Sequence, residues 1–321
     1  MKKSEQSSGT AAVAKDESRK KFWKRVWKQR WLFALSMPMV IWLFIFAFVP
    51  LLGWILAFFK YVPGKSFFSM DFVGLQYFKE AFSDSRFWNA LRNTVAMSLL
   101  NVIFACTVCP ILFALFLNEL RGNHSKKLLQ TVSYLPHFVS WVVVAGIFRN
   151  MMNSSGIVND VLINLGIIKE RFDLFSNPNY FYVVVTIATI WKELGWNAII
   201  YISSMAGIDP EYYEAASVDG AGRFRKMWNI TLPCIKPTIM ILLIINIGGV
   251  LGGGLEKQQL FRNAINIERA RVLDMYVLDY GISNLRFSFG TAVGIITSIA
   301  SLILVYSANK LSKKFSGTSL T

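Results

Sequence analysis

The sequence predicts an all-α polytopic membrane protein with six transmembrane helices and both termini in the cytoplasm. Three observations lead there. Apolar residues make up 54% of the 321, and charged residues only 17%, too few to cover the surface of a soluble domain. The apolar residues lie in blocks long enough to cross a hydrocarbon core about 30 Å thick. Lysine and arginine crowd into segments that alternate with those blocks, as the positive-inside rule requires.

The blocks run from Trp31 to Phe59, Asn93 to Leu117, Thr131 to Phe148, Tyr180 to Gly207, Thr238 to Leu255 and Phe289 to Lys310. The first is longer than one crossing needs and contains Pro38 and Pro50, so tilt, a kink or an interfacial extension takes up the excess. After it, Phe78, Phe82, Phe87, Trp88 and Leu91 stand among polar residues, the pattern of a short amphipathic helix at the outer surface. The fifth runs into Gly248, Gly249, Gly252, Gly253 and Gly254, where close helix packing is the expected use of the small residues.

Charge sets the orientation. With both ends inside, the cytoplasmic segments carry 20 Lys and Arg against 8 Asp and Glu, and the outer loops 13 against 10. The net charge of +15 therefore falls mainly on the inner side, led by Lys20, Lys21, Lys24 and Arg25 just before the first block. That rule accounts for the basic tail, residues 1–30, so no nucleic-acid partner is expected. The apolar run after the tail is too long for a cleavable signal sequence. Cys106, Cys109 and Cys234 form no disulfide framework. The C-x-x-C lies in an apolar block without other ligands nearby, so the cysteines read as small apolar residues and no metal is expected.

The segment between the fourth and fifth blocks, residues 208–233, has its own pattern. Asp209 suits an N-cap and Pro210 the first helical position. Glu211 and Glu214 suit the positive end of the helix, and Gly220 and Gly222 break it. A second helix from about Arg223 sets Phe224, Met227, Trp228 and Ile230 at helical spacing, and Pro233 is expected to stop it. Aromatic residues in a segment outside the membrane need a cover, from the span ends or from a partner protein.

Glu214-Ala215-Ala216, then Gly220 after three residues, then Ile230, Leu232 and Pro233 after nine more resemble the inner-membrane permeases of binding-protein-dependent ABC importers. Those permeases share a cytoplasmic loop of the form E-A-A, three residues, G, nine residues, I-x-L-P. Val73-Gly74-Leu75 with Arg86 through Thr94 is similar to sugar permeases of the maltose-transporter type. Ile190 through Ala198 and Ala308 through Gly317 look like the subgroup handling complex oligosaccharides. Together these cover roughly residues 20–317, while Leu255 through Asn263 depart from the subgroup pattern. The resemblance implies a type I ABC importer permease fold, with residues 31–92 as first helix and outer loop, 93–311 as the core and 312–321 as a cytoplasmic tail. It makes residues 214 to 220, Asp219 among them, the coupling helix that docks on an ATPase. It further implies a second homologous permease, two ATPase subunits, an external solute-binding protein or lipoprotein, and an oligosaccharide cargo. A G-x-x-x-x-G-K-[ST] phosphate cradle is missing, so ATP and Mg are expected on the separate ATPase, with no cofactor in this chain and no enzymatic activity of its own.

Ionisable groups inside a bilayer are costly and usually functional. Lys192 and Glu193 lie mid-block beside Trp191, Trp196 and Asn197. Indole faces and amide groups are what a sugar site uses, but helix-to-helix hydrogen bonds would use the same residues, and both readings stand at this stage. Neighbours on a helix point about 100° apart, so Lys192 and Glu193 are expected to meet a cavity or another helix rather than each other. His137 reads as a structural group. Three rival classes share the apolar architecture: an ion-coupled carrier or channel, a membrane enzyme, and an importer of amino acids, phosphate or peptides. The first has no use for an ATPase-docking loop and the second shows no catalytic constellation. The third shares the docking loop and differs only in cargo.

Overall fold

The computed structural model describes residues 27–66, 69–120, 122–252 and 254–316. Most of the basic N-terminal tail, the last residues of the C-terminal tail and Gly253 of the glycine run lie outside the described residues. The chain forms two compact units, Met1–Leu56 and Ala57–Thr321.

The first unit holds α1 (Arg30–Leu43), a π-helical turn, Phe44–Phe48, and all but the last two residues of a 3-10 stretch, Val49–Phe58. None of the α1 side chains is buried, although all of them but Arg30 and Ser36 are apolar.

The second unit is a helical assembly. It begins with α2 (Gln76–Ser83) and α3 (Ser85–Leu100), which continues through a π-helical segment, Asn101–Val108, into α4 (Cys109–Glu119). A broken pair follows: α5 (Asn123–Tyr134) with a 3-10 turn, Leu135–Phe138, and then α6 (Trp141–Met152) leading to α7 (Ile157–Asn164). The long α8 (Phe181–Ala206) is unbroken. Then come α9 (Pro210–Val218), α10 (Arg223–Lys226), a π-helical turn at Met227–Thr231 and α11 (Leu232–Gly248). Short helices α12 (Leu255–Phe261), α13 (Ile267–Ala270) and α14 (Leu273–Tyr276), with a π-helical turn at Val277–Ile282, lead to α15 (Phe287–Ser316).

Among the described residues, five helices are long and apolar enough to cross a membrane: Arg30–Phe58, Ser85–Glu119, Phe181–Ala206, Arg223–Gly248 and Phe287–Lys314. The pair Asn123–Phe138 and Trp141–Asn164 would make a sixth, but it bends by 101°. The expected third crossing, Thr131 to Phe148, is therefore not one helix. Pro136 ends the first half, and Ser140 caps the second through its hydroxyl, which accepts from Val143 N at 3.4 Å. The fifth span also starts earlier than expected, because Pro233 does not stop the helix. Three of the π-helical stretches end two residues before a proline: Phe48 before Pro50, Val108 before Pro110, Thr231 before Pro233. A proline lacks the N–H that would meet the carbonyl four residues back and its ring crowds that carbonyl. Widening the preceding turn moves the carbonyl aside and lets the helix run on.

Helix α8 is the centre of packing. Ala198, Tyr201 and Met205 bury with Ile111, Leu115 and Ile235 at one end. Phe181, Val184 and Val185 bury with Val144, Phe148 and Phe261 toward the other. The segment after α12 seats on α3, where Asn93 Nδ2 donates to the carbonyls of Glu268 (2.8 Å) and Arg271 (2.9 Å) and Thr94 Oγ1 accepts from Leu273 N at 2.8 Å. Gly248 lies against α15, where a Cβ would come within 3.1 Å of Val305 Cγ2, the close packing expected of that glycine.

Asp84 caps α3, accepting from Arg86 N at 2.9 Å and Tyr276 Oη at 2.7 Å. Burial alone would raise its carboxyl, but the hydrogen bonds from Arg86 and Tyr276 outweigh that and hold it below the usual carboxylate range. A depressed carboxyl contributes stability above its unfolded pKa, and the contribution is lost as pH falls through the folded value. Asp84→Ala is expected to cost about 1–2 kcal/mol at neutral pH, the worth of an N-cap, and to flatten the acid limb of thermal stability below about pH 4, read by melting curves across pH. Gly195 is more sensitive. A Cβ there would lie 2.2 Å from the Ser133 carbonyl oxygen, so Gly195→Ala is expected to lower stability by about 1–3 kcal/mol, measured by thermal unfolding of purified protein.

Candidate functional site

Two regions hold the sequence-predicted residues: a cleft beside α8 and the helical loop between α8 and α11.

In the cleft, backbone breaks release carbonyls and α8 supplies donors for them. Pro110 cannot bond the Cys106 carbonyl four residues back; Tyr201 Oη donates to it at 3.0 Å, and Asn197 Nδ2 donates to the neighbouring Ala105 carbonyl at 2.9 Å. At the break after Phe138, Lys192 Nζ donates to the His137 carbonyl. Gly195 lets α8 approach the backbone of Ser133 closely enough for this reach. Glu193 then bridges, with Oε2 2.7 Å from His137 Nδ1 and Oε1 3.2 Å from Lys192 Nζ. Lys192 and Glu193 thus pair with each other after all. Both stems bend toward the hinge, which serves as the partner helix that each was expected to find. Lys192 is 5% exposed.

Trp196 is half-exposed and stacks on His137, centroids 4.2 Å apart and planes within 2°. Trp191 meets Phe148 edge-on at 6.1 Å. Glu193 and Asn197 line a cavity of about 280 Å³, together with Asn101, Trp141, Glu256 and Lys257. Lys192 lies behind its wall, and the Trp191 and Trp196 rings stand outside the lining. A second cavity of about 180 Å³ shares Asn101 and Lys257 and includes Gln258. Sequence reading missed Trp141, Lys257 and Gln258, because only the fold brings α6 and α12 against α8. The glycine run, which turns the chain back after α11, was the available signal.

The loop follows the sequence reading closely. Asp209 caps α9, accepting from Glu211 N at 3.0 Å, and Pro210 opens the helix. Gly220 has φ +72°, the left-handed conformation that glycine adopts at little cost. Gly220 N then donates to Ser217 O at 3.1 Å and Ala221 N to Ala216 O at 2.8 Å, a Schellman closure. That closure explains the spacing from Glu214-Ala215-Ala216 to Gly220. Glu214, Ala215, Asp219 and Gly220 are exposed, Ala216, Ile230 and Leu232 partly buried, and Pro233 exposed. Tyr213 Oη lies 2.9 Å from Thr231 Oγ1, Lys226 bonds Ser217, and Arg223 Nε lies 4.0 Å from Glu119 on α4. The loop is therefore tied to itself and to the spans. Its remaining apolar groups face outward: Val218 is 89% exposed, Phe224 85%, and Tyr212 and Trp228 are also exposed.

A bundle of apolar helices broken by prolines, with an interior polar cleft and a rigid helix–turn–helix projecting from it, defines a transport permease. The chain belongs to the family of binding-protein-dependent transport system inner membrane components, whose model matches residues 107–316. It is a multi-pass membrane protein of that kind. Protein LplB of Bacillus subtilis is 39% identical over 90% of this chain and 90% of its own length. The polygalacturonan/rhamnogalacturonan transport system permease protein YteP of the same organism is 39% identical over 95% of this chain and 94% of its own. A solved bacterial ABC transporter involved in importing the acidic polysaccharide alginate contains a chain 34% identical, with TM-score 0.83, over 92% of this chain and 99% of that one.

Glu193→Ala leaves buried Lys192 without a carboxylate, an uncompensated charge that is strongly destabilising. The loss is expected to be about 3–5 kcal/mol, and pairing the change with Lys192→Met should recover most of it, as read from thermal unfolding of the two variants.

Proposed function

We propose that this chain is the membrane subunit of an ATP-driven importer of oligosaccharides, with both termini in the cytoplasm and the loop 208–233 docked on a separate ATPase. The observation that carries the reading is the loop itself. It is held rigid by the Asp209 cap, the Gly220 closure and the Tyr213–Thr231 hydrogen bond, yet it leaves Val218, Phe224 and Trp228 uncovered. Exposed apolar groups on a braced scaffold are the anatomy of a docking knob. Glu214 through Gly220 form its tip, and Ile230, Leu232 and Pro233 join it to the fifth span, so force applied to the tip is passed into α11.

Two ATPases, a second homologous permease and an external solute-binding protein complete the assembly. ATP and Mg²⁺ bind the ATPases, and closure of that pair rocks the spans to alternate access. A solved alginate importer in complex with a periplasmic protein bound to alginate pentasaccharide supports the partner set. The sugar cargo is supported by the names of the relatives, which include an arabinooligosaccharide permease, 26% identical over 89% of each chain. Trp191, Lys192, Glu193, Trp196 and Asn197 surround the pathway at its midpoint: Glu193 and Asn197 face the cleft, and the others hold its wall.

The test is ATP-driven uptake by the complete complex in proteoliposomes. A valine at position 220 would adopt a left-handed conformation costing about 1–2 kcal/mol and would undo the loop closure. Gly220→Val is expected to cut uptake at least tenfold while the permeases still insert. Phe224→Glu should reduce co-purification of the ATPase by a similar factor. Normal uptake and normal ATPase retention in both variants would contradict the docking role.

A further inference from the structure

We propose that the pocket between α9 and α10 receives a carboxylate side chain of the ATPase, with Arg225 as the group that binds it. This rests on the importer reading and names the chemistry of its docking partner.

The inference begins with how the loop distributes charge. Helix α9 and its two caps carry Asp209, Glu211, Glu214 and Asp219 and no lysine or arginine, while α10 carries Arg223, Arg225 and Lys226 and no acid. The two arms of the loop are therefore opposite in sign. The cations of α10 differ in what they meet. Arg223 lies 4.0 Å from Glu119, and Lys226 bonds Ser217. Arg225 is exposed and makes no hydrogen bond or ion pair among the described residues. It lines a pocket of about 410 Å³ between the arms. The left-handed turn at Gly220 and the small side chains of Ala216 and Ala221 leave that space unfilled. Two bridges brace it: Tyr213 Oη lies 2.9 Å from Thr231 Oγ1, and Lys226 reaches across to Ser217. A pocket already formed costs its occupant little ordering.

The lining identifies the occupant. Arg225 and Lys226 stand against the single carboxylate of Asp219, which leaves one positive charge in excess. Asp219 forms no ion pair with either cation among the described residues, so Arg225 is not already neutralised. One carboxylate matches that excess. Its oxygens accept from the guanidinium fork of Arg225, a charge-assisted bond of the stronger kind, with the Asn229 amide as a further donor. The methylenes of an Asp or Glu side chain meet Ala216, Ala221 and Ile230. Inorganic phosphate would bring a second negative charge against Asp219 and no stem for the apolar lining. The pocket is also continuous with the docking surface: Phe224 precedes Arg225 in the chain, and it and Trp228 are exposed. An arginine among uncovered aromatic residues is the composition of a binding hot spot.

The experiment measures the affinity of the ATPase for the complete permease pair in lipid nanodiscs, with and without phosphatidylglycerol. Arg225→Glu is expected to weaken binding at least about tenfold, as losing one hydrogen bond to a charged group implies. Arg225→Lys, which keeps the charge but not the fork, should fall between the two. Ala221→Leu, which fills the pocket and alters no charge, should weaken binding as well. Among ATPase variants with single surface Asp or Glu residues changed to Lys, one should restore binding to Arg225→Glu. Unchanged binding in Arg225→Glu or Ala221→Leu, or failure of every ATPase reversal to restore it, would overturn the proposal. A loss confined to discs with phosphatidylglycerol would assign the pocket to lipid headgroups and overturn it too. In each of these cases the docking role stands if Phe224→Glu still releases the ATPase, whereas normal binding in both Phe224→Glu and Arg225→Glu removes that role itself.

Discussion

The broken helices that pack on α8 depend on one constraint: a backbone carbonyl buried away from water must find a donor. Prolines and the hinge at Val139–Ser140 release carbonyls along the second and third crossings. The unbroken helix α8 answers them with Tyr201 to Cys106, Asn197 to Ala105 and Lys192 to His137. These three side chains lie along α8, so one straight helix fixes the positions of two irregular ones. Gly195, between Lys192 and Asn197, permits the approach that brings them into reach.

The same arrangement makes the cleft polar without making it unstable. Irregular backbone at membrane depth is tolerated where it lines a cavity or is buried in protein. Here the polar groups spent on satisfying backbone are those that shape the wall. The Lys192–Glu193–His137 group serves the hinge. A substitution in the wall therefore acts on the hinge and on the cleft together.

The projecting loop obeys a different economy. Nothing in it is buried deeply except Thr231, which lies at its junction with α11. Its order comes from local devices: a side-chain cap, a left-handed glycine and a hydroxyl pair. Those devices cost no apolar surface, so the aromatic residues remain available to a partner. The loop also flows without interruption into the fifth span through the π-helical turn at Met227–Thr231.

Sequence by itself determined the helical membrane class, the approximate positions of four crossings and the loop as far as Pro233, because each depends on local composition, capping chemistry and glycine geometry. It pointed to Lys192 and Glu193, since charge in an apolar block is conspicuous, but it kept them apart on angular grounds. Only tertiary structure bent the third crossing, carried the helix past Pro233 and drew Lys192 and Glu193 to the same hinge carbonyl and imidazole. Only tertiary structure set Lys257 and Trp141 together, 116 positions apart in the chain, since no local periodicity registers a contact between helices joined by distant segments.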